Sequence, residues 1–229
     1  MEAIIMEKNK YVPEIKSNLK SNAIEVPESI YKASGIKFLG KRIKSLLFST
    51  DVALITNSNA GSIIAVYPFT PQLSIIQATL QVAPVPVFVG VGGGRTTGNR
   101  SIAIALQAEL LGAYGVVVNA PMDNKVIEEM NSIIDIPIIA TVVTNKDDYK
   151  GKLKAGASIL NISGGANTAK IVKQVRDEYG EELPIIATGG PTDETILETI
   201  YAGANAITYT PPTSADIFAK VMEKYRSNI

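Results

Sequence analysis

One repeat constrains this chain more than any other feature. Leu111-Gly112-Ala113, Ala155-Gly156-Ala157 and Ala202-Gly203-Ala204 each end a helical stretch and lead into a short apolar run, with their glycines 44 and 47 residues apart. Pro86, Pro137 and Pro184 open the intervening apolar runs, at the first position of a strand, where a missing N–H is tolerated. A unit of two strands and two helices therefore recurs. A quarter of a closed eight-stranded barrel has that content and roughly that length.

The apolar runs, rich in Val and Ile, predict eight parallel strands over Ser45–Ser49, Ser62–Phe69, Pro86–Gly92, Gly115–Ala120, Pro137–Thr144, Ser158–Ser163, Pro184–Gly189 and Ala206–Thr210. Helical patterns fall between them, among others over Thr97–Leu111, Asn124–Ile133, Thr168–Tyr179, Asp193–Ala202 and Ala215–Arg226. The fold class is α/β, a compact (β/α)8 TIM barrel over residues 45–229. An open doubly wound sheet competes with it but seldom carries eight evenly spaced units. At 185 residues the barrel is lean, and Asp51 to Ala60 leaves little room for its first helix. Residues 1–44 read as a helical extension, with helices near Pro13–Ser21 and Glu28–Ser34, that caps the base or forms an oligomer contact.

Composition narrows the chemistry. The 22 basic and 22 acidic residues cancel, so no overall field steers the chain to nucleic acid or an anionic membrane. There is no Cys and no His, which removes disulfides, thiolate and Ser-His-Asp nucleophiles and the commonest metal ligands. No apolar segment has the length of a membrane span, so a cytoplasmic protein is expected.

In this fold chemistry sits where strands end. Asp51, Tyr67 and Tyr209 are the candidates for proton transfer there. An aspartate placed like Asp51 at a helix start is more often a cap, and either tyrosine can be a rim residue with its hydroxyl in water. Arg95, within the Gly90–Gly98 loop and close to a strand end, is a candidate anion ligand on a mobile lid or a solvated loop cation. Asn119 and Asn161, at equivalent positions of the repeat, suggest polar readout of one ligand, or caps of the helices that follow. Ser163-Gly164-Gly165 and Thr188-Gly189-Gly190 offer backbone N–H groups to an oxyanion, the second beside a helix start, unless their glycines serve only tight turns. No carboxylates converge to hold a metal, and no lysine stands at a strand end for a Schiff base.

The stretch Pro184-Ile-Ile-Ala-Thr-Gly-Gly-Pro with Ala202-Gly-Ala-Asn-Ala-Ile resembles the end of a ribulose-phosphate-binding or FMN-binding barrel. That likeness implies a phosphate held by Gly189, Gly190 and the segment at Tyr209 and Thr210. The sequence departs from it at Pro211-Pro212, which donate no N–H. The whole chain also resembles a group of bacterial barrels labelled only as hydrolases. The expected function is binding, and transformation by an isomerase or lyase reaction, of a small phosphorylated or otherwise anionic metabolite, without a metal. A generic hydrolase, an FMN barrel and a non-catalytic sensor or scaffold are the alternatives, and a homo-oligomer is compatible with each.

Overall fold

The computed structural model describes Tyr11, Pro13, Ile15 and residues 24–227. A 3-10 turn over Glu28–Lys32 precedes a hairpin of β1 (Ile36–Phe38) and β2 (Lys41–Ile43). Eight parallel strands follow: β3 (Ser45–Phe48), β4 (Ser62–Ala65), β5 (Val87–Gly92), β6 (Gly115–Val118), β7 (Ile138–Val142), β8 (Ile159–Ile162), β9 (Ile185–Thr188) and β10 (Ala206–Tyr209). β10 pairs with β3 and closes the barrel. After each barrel strand comes one helix: α1 (Val52–Thr56), α2 (Leu73–Val82), α3 (Asn99–Leu110), α4 (Asn124–Asn131), α5 (Tyr149–Lys154), α6 (Thr168–Tyr179), α7 (Asp193–Tyr201) and α8 (Ser214–Ser227). The chain is a (β/α)8 barrel. Among the described residues no helix is long and apolar enough to cross a membrane.

The repeat has a local cause. Gly112, Gly156 and Gly203 take φ of +94°, +108° and +113° just past the ends of α3, α5 and α7, a conformation that terminates a helix and favours glycine. At the third of these, Arg176 of α6 donates to the carbonyls of Gly203 and Leu183 and to Asn205 Oδ1. A Cβ on Gly203 would come within 2.9 Å of the Arg176 side chain. Burial lowers the Arg176 pKa, and its partners are oxygens of the chain rather than a carboxylate.

Side chains alternate along every strand. Leu47, Ile63, Val89, Val116, Ile138, Leu160, Ile185 and Ile207 pack in the cluster that includes the helices. Leu46, Ile64, Phe88, Val117, Ile139, Ile159, Ile186 and Ala206 fill the barrel. The same parity carries the next inward layer, toward the C-terminal mouth, to Phe48, Val66, Gly90, Asn119, Thr141, Asn161, Thr188 and Thr208.

Two expectations change. β4 ends at Ala65 rather than Phe69, because Pro68 and Pro71 withhold ladder donors and the chain turns out into a loop. In the extension, Glu28–Ser34 forms only a 3-10 turn, and a β-hairpin stands where helix was expected. Ile36-Lys37-Phe38 and Lys41-Arg42-Ile43 alternate around Leu39-Gly40, a strand signature. Ile36 and Ile43 face each other and join the interior cluster, with Phe38 packed on it. Because Ile43 lies two residues before β3 and Gly35 N–H donates to Asn205 O just ahead of β10, the hairpin covers the N-terminal end of the barrel. The helix expected near Pro13–Ser21 lies outside the described residues, Pro13 and Ile15 apart.

Candidate functional site

Two adjoining cavities open at the C-terminal mouth. One, about 500 Å³, lies between the loops after β4 and β5 and is lined by Tyr67–Pro71 and Gly92–Thr96; the other, about 470 Å³, lies at the barrel axis. They share Val66, Tyr67, Pro68, Asn119 and Ala120, so they form one cleft. Gly90 lines the lateral part, and its missing side chain leaves the passage open. The axial part has an apolar wall of Phe48, Ile64 and Val66 and a polar wall of Asn119, Thr141, Asn161, Thr188 and Thr208. Arg95 is the only charged side chain in either lining.

The polar wall is organised as a directed relay. Asn161 Nδ2 donates to Thr141 Oγ1 at 3.3 Å, and Thr141 donates to Asn119 Oδ1 at 3.2 Å. Thr188 Oγ1 meets Thr168 Oγ1 at 3.3 Å, and Thr168 also accepts from Gly164 N–H. Among the described residues two buried side-chain polar atoms have no partner, Asn161 Oδ1 and Thr208 Oγ1. Such orphans are uncommon in folded proteins.

In the lateral part, Thr96 donates to Thr70 Oγ1 at 3.1 Å and ties the two loops. The Tyr67 hydroxyl accepts from Gln72 N–H at 2.7 Å, which leaves its own proton to be donated. The glycines of this loop serve close packing: a Cβ on Gly93 would lie 2.5 Å from Asn119 O, and one on Gly92 2.1 Å from Ser101 Oγ. Gly93 and Gly94 N–H groups are already bonded, to Thr96 O and Pro121 O. These two backbone groups are therefore not free to take an anion.

The structure thus brings Tyr67, Arg95, Asn119, Asn161, Ser163 and Thr188 to one cleft. It does not bring Asp51, Tyr209, Thr210, Gly164, Gly165, Gly189 or Gly190 to it. Asp51 caps α1, accepting from Ala53 and Leu54 N–H through Oδ1, and takes the Ser214 hydroxyl on Oδ2 at 2.5 Å. The Ser214 bond is the main cause of its lowered pKa. A carboxyl depressed on folding stabilises above its unfolded pKa and loses that contribution as pH falls through the folded one. Asp51→Asn should accordingly melt below the wild type at neutral pH, with the gap closing as the pH drops below about 3.8, the ordinary value. Melting curves across that range check it; a gap that widens in acid would reject the assignment.

Tyr209 packs outward against the helix layer, one residue out of phase with the axis. Gly189 is required by Ile196 and Ile207, which a Cβ would approach to 2.7 and 2.8 Å, and Gly190 at φ +80° by Thr195. The N-terminus of α7 behind them is closed by a reciprocal Thr192–Thr195 capping box, and Asp193 and Glu194 occupy its first turn. Two carboxylates already complement the helix dipole there, so these residues do not fit a phosphate, including the flavin phosphate that the resemblance implies.

No protein-family model matches the chain, and no curated protein matches it. Solved structures do. A phosphonopyruvate hydrolase superposes with a TM-score of 0.61 at 13% identity, covering 87% of this chain and 83% of that one. A putative phosphonomutase from Burkholderia cenocepacia J2315 gives 0.59 at 13%, covering 80% and 90%. The 4-hydroxy-tetrahydrodipicolinate synthase from Methylacidiphilum fumariolicum SolV gives 0.57 at 14%, covering 72% and 67%. At such identities the likeness establishes the barrel and nothing finer, and the ribulose-phosphate grouping does not follow from it.

Thr208 is the site residue that sequence reasoning passed over in favour of Tyr209 and Thr210. Strand parity could have found it, since Thr208 pairs in register with Thr188 and so shares its face. Lys152, buried on α5, donates to Met122 O at 3.3 Å and lines a neighbouring cavity that touches the cleft at Ala120 and Val143. Among the described residues no three acidic side chains gather where they could hold a metal ion.

Proposed function

We propose that the cleft binds a small anionic metabolite, phosphorylated or carboxylated, and transforms it by an isomerase or lyase reaction. The observation that carries this reading is the charge pattern of the lining: neutral hydrogen-bonding groups along the axis and one cation, Arg95, on the lateral loop. An anion entering between the loops meets the guanidinium and the Asn119 amide while its body extends toward the axis. Tyr67 is the proton-transfer group, since the residue lines both parts and its hydroxyl keeps a proton to give. Proton movement within a bound substrate asks less of this sparse set than activation of water does. The structural neighbours, named as a phosphonopyruvate hydrolase, a putative phosphonomutase and a 4-hydroxy-tetrahydrodipicolinate synthase, are compatible with a metabolite-transforming barrel.

Titration calorimetry with a panel of sugar phosphates, inorganic phosphate and short carboxylic acids tests the proposal. Arg95→Gln should weaken the binding of whichever anion binds by about 10- to 100-fold, the range for a charge-assisted contact of about 1.5–3 kcal/mol. If no anion in the panel binds, or if Arg95→Gln binds as well as the wild type, the reading fails.

A further inference from the structure

We propose that the axial end of the cleft is a receptor for a hydroxyl group, so that the metabolite is a hydroxylated phosphate or carboxylate held hydroxyl-inward. This deepens the function just given and rests on it for the anionic end.

Asn161 and Thr208 are 8% and 7% exposed, and each leaves one polar atom unpartnered in the same lining. Buried polar atoms without partners cost stability, and a ligand that pairs both atoms accounts for their retention. Their chemistry selects the group. Asn161 Oδ1 can only accept, whereas Thr208 Oγ1 can donate as well as accept. A hydroxyl suits both, since it can donate to Asn161 Oδ1 and can accept from or donate to Thr208 Oγ1. A carboxylate or phosphate oxygen has no proton for Asn161 Oδ1 and would face it lone pair to lone pair. An ammonium cannot accept from Thr208 and finds no carboxylate in the lining to repay its desolvation.

The relay sets the direction of the ligand. One N–H of Asn161 Nδ2 is committed to Thr141, and the Thr141 proton to Asn119 Oδ1. Asn161 Oδ1 is left as an unpartnered acceptor in the axial lining, and Asn119, which lines both parts of the cleft, keeps its amide donors. Arg95 stands in the lateral lining alone and the orphaned Asn161 acceptor in the axial lining alone, so the anionic group stays outward and the hydroxyl goes in. Phe48, Ile64 and Val66 face the polar wall and receive the C–H side of the ligand.

Two measurements test the receptor. Thr208→Val keeps the shape and the strand propensity of the residue and deletes the orphaned hydroxyl. It should raise the melting temperature of the ligand-free protein by about 2–4 °C; no change or a fall overturns the proposal. Calorimetry then compares matched probes, glycerol phosphate with propyl phosphate and lactate with propionate. The hydroxylated member should bind the wild type at least about tenfold more tightly and lose that advantage in Thr208→Val. Equal affinities within each pair, or an advantage that survives the substitution, overturn it. If no probe binds, the anion reading falls, and the melting experiment on the free protein still decides the receptor.

Discussion

Phe88→Ala should destabilise the protein by about 3–5 kcal/mol, the usual cost of deleting a buried aromatic ring that its surroundings cannot close around. Phe88 is fully buried inside the barrel, one inward layer below Gly90. Its ring stands 4.9 Å from that of Phe38 in the hairpin, tilted by 54°. On the far side the fit is so close that a Cβ on Gly115 would come within 3.0 Å of it. Its neighbours are side chains fixed to the strands of a closed barrel, so collapse into the cavity is limited and the cost belongs at the upper end. Chemical denaturation measures it. Phe38→Ala in the hairpin should remove part of the same contact, so the double variant should lose less than the sum of the two, by about 0.5–1.5 kcal/mol. A loss below about 1 kcal/mol for Phe88→Ala, or strict additivity, would mean that the hairpin does not seal the barrel through this pair.

Hairpin and barrel differ in how openly the sequence announces them. Most barrel strands are Val- and Ile-rich runs near Gly or Pro, buried on both faces, and that pattern is written locally. The hairpin spends only three residues per strand, four of those six being Lys, Arg or Phe, so its period is easily lost beside the longer runs. At the site the difficulty is parity. Asn119, Asn161 and Thr188 are evident as polar residues near strand ends, but whether Tyr209 or its neighbour Thr208 faces the axis depends on register, which a one-residue shift inverts. The glycines mislead for another reason: Gly92, Gly93, Gly189 and Gly190 do stand at strand ends, yet the atoms that forbid a side chain there come from Ser101, Asn119, Ile196, Ile207 and Thr195. Those contacts are tertiary, and a nest for an anion and a close approach of chain to chain look alike in sequence. Asp51 is legible only as a carboxylate at a helix start; the Ser214 hydroxyl that occupies its second oxygen lies 163 residues away.

Gly90 is the exception among these glycines, and it gives the largest expected effect on binding. Gly90 is buried in β5 without the positive φ that would bar other residues, and a Cβ there would sit 3.2 Å from Val66 Cγ2 and 3.4 Å from Ala65 O. Those contacts are tight but involve a side chain that can give by a few tenths of an ångström. A Val at this position suits a strand and should fold, with an overpacking cost of about 1–3 kcal/mol. Its methyl groups would stand where the lateral and axial parts of the cleft meet. A ligand that must reach both Arg95 and the axial wall would lose one end, and its affinity should fall about a hundredfold, close to 2.7 kcal/mol. A ligand held in one part alone would be indifferent to the change. Calorimetry on Gly90→Val, after a melting curve has confirmed that the variant is folded, separates the two cases. Retained affinity would mean that the two cavities work independently and that the metabolite is smaller than the cleft, with Arg95 and the Asn161–Thr208 wall serving different ligands.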